Sequence, residues 1–75
     1  MRTYTVSVRC EGDDYSNNFF LSYMDAVDYI KKYIPHVNGM TYAKIKEYGL
    51  SFYVYNPEGD CVYREARTFD NLEQS

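Results

Sequence analysis

Tryptophan is absent, histidine occurs once, and cysteine and proline occur twice each in a chain of 75 residues. A single histidine, His36, placed after Pro35 in an expected turn, leaves no second imidazole for a metal site and reads as an exposed loop residue. Cys10 and Cys61 have no further cysteines to form a disulfide framework or a zinc cluster, so both are expected to be free thiols. No run is long and apolar enough for a membrane span, and the opening MRTYTVSVRC has no apolar core of a signal peptide. The sequence therefore predicts no membrane insertion, no metal and no cofactor, and a cytoplasmic location. The four glycines all fall where turns are expected, which leaves no glycine-rich phosphate loop.

A large excess of one charge sign is also lacking. Eleven acids against eight bases give a net charge of -3, which works against electrostatic attachment to nucleic acid or to an anionic membrane. A chain this short holds one core, so residues 1–75 are read as a single domain whose tail frays from about residue 70. Such a core leaves little room for a walled active-site cleft, and function is expected on an outer face. What the chain has in excess is tyrosine, with ten copies. Tyrosine joins a large ring to a hydroxyl that wants a partner, which suits both strands and interfaces.

Hydrophobic periodicity predicts an α+β fold of order β-β-α-β-β-β: an antiparallel sheet of four or five strands with one helix packed on one face. Residues 3–10 alternate strictly, with Tyr4, Val6, Val8 and Cys10 on one side. Glu11, Gly12, Asp13 and Asp14 read as a loop or wide hairpin extended by Asn17 and Asn18, followed by a brief strand at Phe19–Leu21. Ser22, with Asp25 three residues on, predicts a helix N-terminus. Ala26, Val27, Ile30, Tyr33 and Ile34 form its apolar stripe, and Pro35 ends it near Ile34. Asn38-Gly39 reads as a turn. Residues 41–48 alternate again, which predicts a strand with Ala43 and Ile45 inward. Leu50, Phe52 and Val54 are expected to face the helix from the next strand. Asn56-Pro57-Glu58-Gly59 predicts a type I turn with the glycine left-handed, closing a hairpin in which Val62 joins Val54 in the core and Tyr63 lies outside.

One helix covers one face, so alternation places Tyr42, Lys44, Lys46, Tyr48, Tyr53, Tyr55 and Tyr63 on the other, with Arg9, Glu65 and Arg67 at its margin. Tyrosine offers a large contact area with few rotamers to freeze, and the leading expectation is a protein-binding face. The alternatives are stacking of single-stranded bases aided by Lys44 and Lys46, homodimerisation through the same face, and an ordinary soluble strand surface. Glu11, Asp13 and Asp14 form a second candidate, for a basic partner, although such charge runs are usually solvated loops. No residue set identifies an activated nucleophile or a tuned carboxylate pair, so the expectation is a binding protein and not an enzyme.

In length, acidity, lack of catalytic residues and element order, the chain resembles the small phage-encoded inhibitors of bacterial defence, anti-CRISPR proteins in particular. Several of those are compact sheets with one helix that bind Cas proteins and block DNA access or cleavage. The resemblance implies stoichiometric occlusion of a surface on a CRISPR-Cas effector inside the bacterial host. Those families share no residue pattern, so no site residue is carried over.

Overall fold

The computed structural model describes residues 2–36 and 39–69. The tail from residue 70 and the Asn38 half of the expected Asn-Gly turn lie outside the described residues.

The first strand follows its alternation. In β1 (Tyr4–Cys10), Val6, Val8 and Cys10 are buried in the core, and Thr5, Ser7 and Arg9 point the other way. The expected wide loop is instead a tight hairpin. Glu11 and Gly12 both have positive φ, 54° and 82°, the pattern of a type I′ turn whose twist matches the strands it joins. The chain then pairs at once as β2 (Asp13–Phe20), running antiparallel to β1. Polar side chains did not preclude a strand here because β2 is an edge, half exposed to water, and its ladder is made by backbone groups. One extra residue, Tyr15, falls between the pairs Val8↔Ser16 and Arg9↔Asp14, and its ring packs against the core.

Helix α1 (Tyr23–Lys31) starts as predicted, with the Ser22 hydroxyl accepting from the Asp25 N–H at 3.1 Å. Ala26, Val27 and Ile30 are buried, and Lys32 reaches Asp28 at 3.0 Å on the outer side. The helix stops one turn early. Ile34 is 84% exposed, and the stripe is completed by Tyr33 from beyond the helix, its ring meeting Phe52 edge-on at 5.4 Å.

The largest departure is at Gly39–Tyr48, which forms a second helix, α2, and not a strand. Its alternation is too short to decide between periods, and Met40, Ala43, Lys44, Lys46 and Glu47 are good helix formers. Ile45 alone among its residues is buried. Gly49, expected as a turn between strands, is the C-terminal cap of α2. Its φ is 74°, its N–H donates to Ile45 O at 2.7 Å, and an added Cβ would stand 2.6 Å from the Arg67 carbonyl oxygen.

Strand β3 (Leu50–Tyr55) buries Leu50, Phe52 and Val54 as predicted. The Asn56–Gly59 turn also forms: Gly59 N–H donates to Asn56 O, Gly59 has φ 93°, and Asn56 Oδ1 accepts from the N–H groups of Glu58 and Asp60. Strand β4 (Cys61–Arg67) starts in the expected register at Tyr55↔Cys61. A bulge then shifts it by one, so that Tyr63 pairs with Val54 and Arg64 with Tyr53. Every side chain beyond the bulge changes face. Val62 is exposed outside, not in the core, and Tyr63 lies on the core side, not outside.

The fold is thus α+β, β-β-α-α-β-β, with one antiparallel sheet of order β2-β1-β3-β4 and two helices. There are four strands and two helices where up to five strands and one helix were expected. Ala26 and Ile30 of α1 and Ile45 of α2 join Val6, Val8, Cys10, Leu50, Phe52 and Val54 in one cluster, so both helices cover the same face.

Because Gly49 combines positive φ with contact against the Arg67 backbone, Gly49→Ala is expected to destabilise the protein by about 3 kcal/mol, the sum of left-handed strain and overpacking. Gly59→Ala, where a Cβ meets nothing within 4 Å, is expected to cost about 1 kcal/mol. Urea denaturation of the two variants checks both the size and the order.

Candidate functional site

With α1 and α2 on one face, among the described residues no helix or strand covers the other. Pairing across the strands defines its rows. Phe19, Thr5, Tyr55 and Cys61 form one, and Asn17, Ser7, Tyr53 and Arg64 the next. Tyr53 and Tyr55, two apart on β3, stack with ring centroids 6.4 Å apart and 24° between planes. Phe19 is 69% exposed at the β2 edge and Val62 41% exposed on β4. Ser7, by contrast, is buried between Asn17 and Tyr53. The apolar relief of the face is therefore the tyrosine pair, flanked by Phe19 on one edge strand and by Val62 with Arg64 on the other.

Of the seven residues expected on this face, two are there. Tyr42, Lys44, Lys46 and Tyr48 ride on α2, where the period is 3.6, so their shared alternation does not put them on one surface. Tyr42 packs against the core with Lys46 Nζ 5.7 Å from its ring centroid, Tyr48 is exposed, and Lys44 turns to the β1–β2 hairpin. Tyr63 was carried to the core side by the bulge. Phe19, Val62 and Arg64 were missed. The exposed parity of Phe19 follows once β2 is recognised as a full strand, but the bulge that exposes Val62 and Arg64 has no mark in the sequence.

Tyrosine is used mainly to rim the core. Tyr4, Tyr15, Tyr29, Tyr33, Tyr42 and Tyr63 all pack against it. Burial pushes the Tyr33 hydroxyl far above its ordinary pKa and raises that of Tyr15.

The acidic turn is largely neutralised from within. Lys44 donates to the Asp13 carboxylate, which holds Asp13 below and Lys44 above their ordinary ranges. Arg9 lies 3.3 Å from Asp14 through Nε and donates through Nη2 to Gly12 O at 3.2 Å. Glu11 has no ion-pair partner among the described residues. A basic partner would meet one free carboxylate here and two already paired.

Glu65 and Arg67, expected at the margin of the open face, lie on the core side. The Arg67 guanidinium sits 4.9 Å above the Phe52 ring and donates to Ile30 O at 3.0 Å and Tyr33 O at 3.5 Å, while Nε donates to Glu65 at 2.9 Å. Tyr63 donates to the other oxygen of Glu65 at 2.7 Å. The Tyr63 hydrogen bond, aided by Arg67, holds the Glu65 carboxyl below its ordinary range.

His36 is exposed, and its backbone carbonyl accepts from the Tyr15 hydroxyl. Both cysteines are free. Cys10 is buried, and burial raises its thiol pKa. Cys61 is exposed in the row of Thr5, on the opposite face and about five residues, or roughly 16 Å, along the strands from Cys10. A disulfide between them is geometrically excluded. Among the described residues, no group of three or more His, Cys, Asp or Glu side chains is gathered as a metal site, and no helix is long and apolar enough to cross a membrane. No protein-family model, curated protein or solved structure matches the chain.

A carboxyl held below its ordinary range stabilises the fold only while it is ionised. The contribution of Glu65 is complete above its unfolded pKa and is lost as pH falls through its folded value. Glu65→Gln is accordingly expected to lower the melting temperature at neutral pH, with the difference from the parent closing as the pH is taken below the ordinary carboxylate range. Thermal melts of both proteins across acid pH check this.

Proposed function

We propose that this chain is a non-catalytic protein-binding module that docks through the open sheet face, centred on Tyr53 and Tyr55, and acts by occluding a surface of its partner. The partner we propose is a bacterial defence complex such as a CRISPR-Cas effector, with the chain acting as a phage-type inhibitor. The observation that carries the docking reading is the stacked tyrosine pair on a face that neither helix covers. A strand holds those rings at fixed spacing, so they offer contact area at small entropic cost, and Phe19, Val62 and Arg64 supply an apolar and cationic surround of the kind found at interface centres.

The same rings are suited to stacking bases, but the cations that reading relied on, Lys44 and Lys46, are on α2. With the open-face Arg9 engaged by Asp14, Arg64 is the face's unpaired cation among the described residues, on a chain of net charge -3. Phosphate attraction is correspondingly weak.

Replacing both Tyr53 and Tyr55 by alanine is expected to weaken partner capture at least a hundredfold, while circular dichroism and the melting transition stay close to the parent's. The measurement is capture from bacterial lysates in which CRISPR effector complexes are included among the candidates, followed by titration of whatever is retained. Equal affinity of parent and variant contradicts docking through this face, and retention of single-stranded oligonucleotide with a steep salt dependence transfers the function to the nucleic-acid reading.

A further inference from the structure

The two edges of the sheet differ. On β4 the edge carries Arg64, Glu65 and Arg67 and is kinked by the bulge at Val62. These are devices that keep another strand from pairing. On β2, the stretch Ser16–Phe20 has no charge and no proline, and its pairing with β1 runs without irregularity from Val8↔Ser16 to Tyr4↔Phe20. Among the described residues no strand or loop pairs with its outer backbone groups, which form a regular ladder.

What faces this edge from above is a flank of α1. Asn18 Nδ2 donates to the Tyr29 hydroxyl at 2.9 Å, and the Phe20 and Tyr29 rings lie 5.1 Å apart, so the Tyr29 side of the helix looks toward β2. Asp25 and Lys32 fall on the same flank, four residues before and three after Tyr29. The stripe thus reads acid, tyrosine, base, and its charges are exchanged by a two-fold rotation.

We propose that the chain forms a symmetric dimer by antiparallel pairing of β2 with β2 of a second copy, about an axis passing beside Asn18 and Tyr29. The Asn18–Tyr29 hydrogen bond sets strand and helix centres at one level, so a single axis serves both. Asn18 then lies opposite Asn18 of the second copy and Ser16 opposite Phe20. Leu21, 69% exposed, comes beside Tyr15. Asp13 and Asp14 lie at the far end of the junction, away from their own copies, whereas parallel pairing would stack them on each other. Above the sheet, Asp25 faces Lys32 of the second copy at both ends of the helix pair, where the exposed Lys32, 3.0 Å from its own Asp28, is shared between the two carboxylates, complementary charge being what fixes register across such a junction. The product is a continuous eight-stranded sheet with two open faces side by side, so this dimer adds to face docking and does not depend on it.

Sedimentation equilibrium over a wide range of protein concentration is the test. The parent is expected at twice the monomer mass at high concentration. Asn17→Lys, which puts a charge in the middle of the edge on the exposed side, is expected at monomer mass with unchanged circular dichroism. Asp25→Lys is expected to weaken the dimer about tenfold by setting like charges at both ends, and adding Lys32→Asp is expected to restore it. A parent that stays monomeric at every concentration overturns the proposal. So does a dimer that survives Asn17→Lys, or one that Asp25→Lys weakens without rescue by the second change.

Discussion

The end of α1, where Ile30 O already accepts from the Tyr33 N–H at 3.2 Å, is held a second time by Arg67, the last residue of the last strand. Its guanidinium donates to Ile30 O, lies on Phe52 and is held by Glu65, so one cation ties the end of the first helix, the centre of the core and an edge strand together. A positive group at a helix C-terminus also meets the negative end of the helix dipole. The contact requires Arg67 on the core side, and only the one-residue bulge at Val62 puts it there. The same shift brings Tyr63 and Glu65 under the helices and turns Val62 and Arg64 outward. It also carries the Arg67 backbone to where only glycine fits at position 49. Cap, bulge and the left-handed end of α2 are thus one constraint seen from three elements.

That constraint also decides what the open face is. Alternation through an unbulged β4 would have given it three tyrosines with Glu65 and Arg67. The bulged strand leaves the Tyr53–Tyr55 pair as the aromatic feature of its centre, with a small apolar and cationic flank. Most of the tyrosine in this chain is accounted for by a thin core. Rings on the perimeter bury their apolar bodies while their hydroxyls find a polar partner: Tyr15 donates to a backbone carbonyl, Tyr63 donates to a carboxylate, and Tyr29 accepts from the Asn18 amide. Among the described residues Tyr53 and Tyr55 pack on each other and not on the core, and the functional reading rests on that difference.

Elements whose period was long and whose neighbours were local could be read from the sequence. The alternation of β1 and β3, the Ser22 cap, the Asp28–Lys32 pair and the Asn56–Gly59 turn all stand in the structure as expected. What could not be read depends on partners distant in the chain. The stretch 41–48 satisfies a strand period and a helix period about equally, and the choice is settled by Ile45 reaching the core and by Gly49 capping beside Arg67. Polar β2 becomes a strand because β1 offers it a ladder, which its own residues do not announce. The bulge at Val62 is repaid by contacts between residues 67 and 30, and no local signal records it. The candidate site inherited these limits: the two residues on β3 were placed correctly, and those assigned through α2 or beyond the bulge were not.

Docking through the face that bears Tyr53 and Tyr55 can be tested through Cys61. This thiol is exposed in the same row as Tyr55, whereas Cys10 is buried under the helices. Coupling a bulky maleimide to Cys61 in the folded protein, confirming by mass that one label is present, and measuring partner affinity changes the face without altering the core. Labelled protein is expected to lose binding while its melting transition is retained. Undiminished affinity of the labelled protein would contradict docking through this face.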